Sequence, residues 1–272
     1  MRVGVAAIQA LLPEGLQALE VAGLGSPLQG RVPGPSLKGL LKRRKDAKLL
    51  PRAARLALPV ATRVFQAFSG DPEELGLHVG VRREPPDSGQ ADMAIAASIR
   101  DGRLDTSLLA GRGRDLYPPL LPLETLPNMV LAHVSINLGI RGPGDASTGG
   151  PAAGIQALRL AMHDVVEGRA PASLVVVADS LVDGASHRDQ RRLGFGGPLG
   201  EGAIALLLVP SGQGLFELSD EGAGSGATAR PWEHWPRLGR IGCVDPLVQL
   251  LQGPARVCGV DATGAWAAVQ RW

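Results

Sequence analysis

The chain is short of several things at once, and each shortage excludes something. It holds four Phe, four Trp and one Tyr in 272 residues, so its interior must be assembled from Leu, Val, Ile and Ala. Two cysteines, Cys243 and Cys258, are too few for a disulfide scaffold, and their spacing fits no metal site. That pattern points to a reducing, cytoplasmic compartment, and no metal or cofactor is expected. No apolar run approaches the roughly 20 residues of a membrane-spanning helix. The formal net charge of +2 is too small for a nucleic-acid partner. The opening MRVGVAAIQALLPEG has one Arg and a short apolar stretch, but Pro13 and Glu14 replace a cleavage site. It reads as a first strand, Val3–Ile8, and not as a signal peptide.

What is present belongs to a globular protein. Hydrophobic residues make up 44% and charged residues 20%, and the 37 Gly and 22 Pro are spread along the chain without a repeat. The length suffices for one large or two modest domains. The stretch Leu126–Asp183 organises the rest. Its middle, Gly142–Gly150, is a loop of small residues feeding a helix that begins at Pro151. In that helix Ile155, Leu158, Met162, Val165 and Val166 form one apolar stripe. The β-branched run Leu174–Ala178 that follows predicts a strand buried on both faces. A tight turn entering a buried helix presents backbone N–H groups and the positive end of a helix dipole, a suitable place for an anion.

Elsewhere Pro51–Phe68 reads as a helix with Pro59 inside it. Residues 75–84 read as a strand, Met93–Ser98 as a short helix and 99–122 as loop. After residue 209 the pattern thins: Ile241–Leu251 predicts a buried helix, Ala255–Val260 a strand and Glu221–Pro236 a loop.

These residues resemble the nucleophile-elbow region of β-ketoacyl synthases, the condensing enzymes of the thiolase superfamily. Asn128 before a helix and Gly142-Pro143 after it match the family pattern, as do Gly200-Glu201-Gly202 and the apolar strand Ala203–Val209. The resemblance implies an α/β, thiolase-like layered fold, with a near-complete N-terminal half over 1–209 and a truncated C-terminal half over 210–272. It also implies an acyl-accepting Cys at the eighth residue after Pro143, and that residue is Pro151. Only a thiol forms the thioester this chemistry needs, whereas Pro is a favoured helix starter. The family's catalytic histidines have no counterpart in the tail, where Gly239-Arg240-Ile241-Gly242 stands in the corresponding region.

Other candidates are weaker. His78 falls in an expected strand and His133 and His163 in expected helices, all in structural roles. His187 falls in an exposed loop, and His234 between Trp232 and Trp235. Ser147-Thr148 lacks the Gly-Xaa-Ser-Xaa-Gly setting of a hydrolase, and Cys243 lies in an apolar segment where a thiol is inert. Gly149 and Gly150 are candidates for a backbone oxyanion-type turn. Lys38, Lys42, Arg43, Arg44, Lys45, Lys48 and Arg52 form the strongest charge cluster, with Lys42–Lys45 at its centre. That cluster is either a solvated face or a docking surface for an acidic partner, and the resemblance implies an acyl carrier protein as that partner.

The resemblance leaves two functions open. One is a catalytically silent, chain-length-factor-like subunit, dimeric with itself or with an active ketosynthase, in fatty acid or polyketide-type biosynthesis. The other is a thiolase-like accessory protein of a secretion-system effector locus. The dimer interface is expected at the strand Leu174–Ala178.

Overall fold

The computed structural model describes residues 1–13, 15–17, 30–82, 88–117, 123, 126–182, 184–192, 196–224, 242–248, 256–260 and 266–272. Among these, one sheet carries the fold. β1 (Arg2–Leu12) turns into the short β2 (Gly15–Gln17), which pairs with its end. The remaining strands are β3 (Gly76–Val81), β6 (Gly144–Thr148), β7 (Ser173–Ser180), β8 (Glu201–Pro210), β9 (Phe216–Gly224), β10 (Arg256–Val260) and β11 (Trp266–Arg271). Their order is β10-β11-β9-β1-β8-β7-β3-β6. β3 is parallel to both β6 and β7, and every other pairing is antiparallel.

Alternation along the strands sorts side chains into two cores. Leu174 and Val176 of β7, with Leu77 and Val79 of β3, face α1 (Arg52–Phe65) and α5 (Met129–Leu138). Val175 and Val177 face the other way, onto α6 (Pro151–Val166). Pro59 sits inside α1, as expected of that helix. Every residue of β7 is buried, as a strand covered on both faces must be. α6 touches every strand along the path, from β6 at one end to β10 at the other, so the sheet curls around it. Ile155, Leu158, Met162 and Val165 are thereby covered within the chain itself.

Two glycines permit the closest contacts. A Cβ on Gly80 would lie 2.8 Å from Gly154 Cα, and one on Gly154 would lie 2.3 Å from the Cys243 carbonyl oxygen. Strand β3, the first turn of α6 and the turn Gly242–Val244 can meet only because both side chains are missing.

Several expectations change. The small-residue loop Gly142–Gly150 contains a strand, β6, because the parallel ladder with β3 supplies hydrogen bonds that GDAST does not signal by propensity. Residues 99–122 are not plain loop. β4 (Ile99–Arg100) and β5 (Arg103–Leu104) form a hairpin through Asp101 and Gly102, both at positive φ. α3 (Thr106–Leu108) follows, capped by the Asp105 carboxylate, and α4 (Arg114–Leu116) comes shortly after. α2 (Ser88–Ala96) covers most of the short helix expected at Met93–Ser98. The reduced second half takes the form of β9, β11 and β10, added antiparallel beyond β1, and of the short α8 (Asp245–Val248). Residues 221–224 of the expected loop belong to β9; His234 and residues 239–241 lie outside the described residues.

The expected interface is also corrected. Leu174–Ala178 lies inside the sheet, paired to β3 on one side and β8 on the other, and has no free edge. The edge beyond β3 is β6.

Candidate functional site

The elbow stands where the sequence places it. β6 runs parallel to β3, Gly149 and Gly150 turn the chain, and α6 starts with Pro151 in its first turn. Proline costs this helix nothing there, because an N–H at that position has no acceptor within the helix. Pro151 is buried, and its side chain brings no donor, acceptor or nucleophile. Gly149, at φ 150°, gives its N–H to the Val81 carbonyl at 3.1 Å. That donor is committed to the sheet and does not serve an oxyanion. The Gly150 carbonyl accepts the Ala153 N–H at 3.0 Å, beginning the helix ladder.

A buried polar cluster lies beside the elbow, at the carboxyl ends of β3 and β7. Asp179, 1% exposed, accepts from Arg82 Nε at 3.1 Å, from the Ser180 N–H at 2.8 Å and from the Cys243 N–H at 3.1 Å. Arg82 also donates to the Ser180 carbonyl at 2.7 Å and to Ser186 Oγ at 2.8 Å. Ser186 lies on α7 (Gly184–Arg192). Ser180 Oγ donates to Glu201 Oε2 at 2.8 Å, joining this cluster to a second one. There the fully buried Glu201 receives Arg52 Nε at 3.0 Å, a further Arg52 bond and the Val32 N–H at 2.9 Å.

The cluster fixes the chemistry of Cys243. Its thiol points at the Ala178 and Gly80 carbonyls, at 3.4 and 3.5 Å. Burial pushes the thiol well above its ordinary pKa, and the Asp179 and Asp245 carboxylates push it further. Burial and these carboxylates disfavour the thiolate, the form in which a cysteine attacks.

The histidines are engaged elsewhere. His78 Nε2 lies 2.6 Å from Asp164 Oδ2 in a buried pair, and Asp164 also receives Arg169 Nε at 2.7 Å. His133 is buried on α5, with burial holding its pKa below the usual histidine value. His163 sits half-exposed, 3.6 Å from Glu167, and His187 is exposed.

The basic segment divides. Lys38, Lys42, Arg43, Arg44, Lys45 and Lys48 are exposed, around a helical turn spanning Arg44–Leu49. Arg52 is not among them, since it turns inward to Glu201 and the Val32 carbonyl. Asp46, the one acid of residues 31–50, is buried and paired with Arg43 at 3.0 Å.

Sequence reasoning missed Arg82, Asp179 and Ser180. The available signal was Asp179-Ser180 directly after an apolar strand and Arg82 directly after another, positions that in α/β sheets open onto the crevice at the strands' carboxyl ends.

A mixed sheet whose β6, β3 and β7 run parallel, a Gly-Gly elbow and a central helix wrapped by the sheet define an α/β protein of thiolase-like layering. The chain belongs to the β-ketoacyl synthase family: the family's N-terminal domain matches residues 40–201. Among curated proteins, none matches it in sequence. Solved structures resemble it across the whole chain at low identity. One is a type II PKS acyl-carrier protein in complex with its ketosynthase bound to the hexaketide (TM-score 0.71, 12% identity, 99% of each chain covered). Another is the ishigamide ketosynthase/chain length factor (TM-score 0.67, 17% identity, covering 100% of this chain and 99% of that one). A third is a ketosynthase in complex with its chain length factor from Xenorhabdus doucetiae (TM-score 0.62, 14% identity, 100% of both). Among the described residues no helix is long and apolar enough to cross a membrane, and no group of acids, histidines and cysteines is placed to hold a metal.

Proposed function

We propose that this chain is a non-condensing β-ketoacyl synthase-like subunit that pairs with an active ketosynthase in the manner of a chain length factor. The observation that carries the reading is Pro151. It occupies the first turn of the elbow helix, where the family resemblance places the acyl-accepting Cys, and it has no group to acylate. The nearby thiol, Cys243, is buried, and its thiolate is disfavoured. Two of the structures that resemble the chain from end to end are ketosynthase/chain length factor pairs, and this supports a pairing role.

Among the described residues no strand pairs with the outer edge of β6, and that edge is the contact offered to the partner. A strand edge with open N–H and C=O groups invites a second strand. Whether the partner is an active ketosynthase or a second copy, the edge is the same. The exposed cations Lys42, Arg43, Arg44 and Lys45 are assigned to an acidic acyl carrier protein, whose approach they would steer by charge. The pathway this implies is of the fatty acid or polyketide type, in the cytoplasm.

Incubating the isolated protein with a labelled acyl thioester and measuring its intact mass tests the reading. No adduct is expected. A stoichiometric adduct on any residue overturns it, and an adduct on Cys243 would identify a replacement nucleophile.

A further inference from the structure

The exposed cations from Lys38 to Lys48 stand on a stretch of chain that cannot hold its own shape. The turn Arg44–Leu49 is short and has no side-chain cap, and its Arg44 and Lys48, four residues apart, repel. Two side chains from neighbouring helices grip its backbone instead. From α5, Asn137 Oδ1 accepts the Lys42 N–H at 2.7 Å, while Asn137 Nδ2 donates to the His133 carbonyl of its own helix at 2.7 Å. From α1, Arg55 Nη2 donates to the Ala47 carbonyl at 2.6 Å and Arg55 Nε to the Leu50 carbonyl at 3.1 Å. The main chain is thus held before the turn and at its end, and none of these bonds occupies a cationic side chain of the segment.

We propose that Asn137 and Arg55 are positioning residues that hold the basic segment as a preordered docking surface for an acidic protein. The inference rests on the docking role assigned to that segment. Of its exposed cations only Arg43 has a carboxylate partner among the described residues, and that partner is Asp46. Asp46 is turned inward, at 7% exposure. Leu37 and Leu41 pack on the core beneath, and Leu50 is buried. The outward face is therefore charge of one sign, which fits a folded acidic surface. A membrane surface would call for apolar side chains on that same face, and here they point the other way.

A docking segment that moves freely must be ordered when its partner arrives, and that ordering weakens binding. Here the ordering is complete before the partner arrives. α1 buries Leu56, Ala57, Leu58 and Val60, and α5 buries Val130 and Val134, so both grips are anchored in the core. Arg55 acts as a fork. Two of its nitrogens reach two carbonyls three residues apart, which a lysine of the same charge cannot do. The function of this arginine is therefore separable from its charge.

Two measurements on the intact protein test this: hydrogen exchange of peptides spanning 38–50, with β7 as internal reference, and calorimetric binding of an acidic acyl carrier protein at low and high salt. In the wild type the Lys42 amide is expected to be protected although it lies in no helix or strand. Arg55→Lys breaks the fork and keeps the charge, and Asn137→Ala breaks the other grip without changing charge. Each is expected to lower protection of 38–50, leave β7 unchanged and raise the Kd by about tenfold with its salt dependence retained. Lys45→Ala is expected to do the reverse, flattening the salt dependence and leaving exchange as it was. A wild-type segment that exchanges like an unstructured peptide overturns the proposal, whether or not either variant folds. So does a loss of protection in the variants with no change in Kd, and in that case the docking role survives. A wild type with a protected segment that binds no carrier protein, or binds vesicles of phosphatidylcholine and phosphatidylserine instead, overturns the docking role itself.

Discussion

Proline at the start of a helix loses no hydrogen bond, and its fixed φ suits the first turn. Pro151 therefore preserves the architecture of the elbow while providing no reactive atom. Pro151→Ala is expected to change stability by about 1 kcal/mol or less, because proline at a compatible site acts chiefly on the unfolded chain; chemical denaturation checks this. Pro151→Cys is expected to gain no condensing activity towards a malonyl thioester. Of the buried histidines among the described residues, His78 is paired with Asp164, and His133 is enclosed on α5. The inward-turned Arg52 gives a sharper stability prediction. Arg52→Ala leaves the Glu201 carboxylate buried without its guanidinium and is expected to cost about 3 kcal/mol or more in denaturant unfolding. At this scale the sequence was legible at Pro151 and Glu201, which stand in motifs. It was not legible at Asp179 and Arg82, whose partnership spans 97 positions and exists only once β3 and β7 lie side by side.

At the scale of elements, propensity and pairing separate. Leu174–Ala178 was legible as a strand from its β-branched run, but its place in the sheet was not, because register and order arise from partners far along the chain. β6 was hidden for the opposite reason. Its residues are small and polar, and it becomes a strand only against β3. The same pairing locates the exposed edge. The Gly149 N–H points to Val81 on β3, so by the regular alternation of a parallel ladder the Ala146 N–H points outward. Ala146→Pro removes that outward donor and leaves the ladder with β3 complete. The expected outcome is a folded protein with a near-unchanged melting temperature that no longer assembles, read by sedimentation. Assembly that survives the substitution would place the interface elsewhere.

At the scale of the molecule, the N-terminal region was readable from its order of a strand, a basic segment, a helix, a further strand and an elbow. The C-terminal region was not. Of its elements only Arg256–Val260 was expected as a strand, while β9 and β11 lie in stretches with weak alternation and owe their position to the edge of β1. What results is one sheet curled around α6, held shut where the Cys243 carbonyl meets Gly154. Gly154→Ala is expected to displace that turn and to destabilise the protein by about 1–3 kcal/mol, as over-packing does.

The central claim is that this chain accompanies a condensing enzyme without condensing. Native mass spectrometry of the protein mixed with its cognate ketosynthase, after exposure to an acyl thioester, tests both halves of that claim at once. The account predicts a one-to-one complex with the acyl group on the ketosynthase alone. An acyl group on this chain would contradict the account, as would a clean monomer alone and in the mixture, and the monomer would leave a stand-alone accessory role.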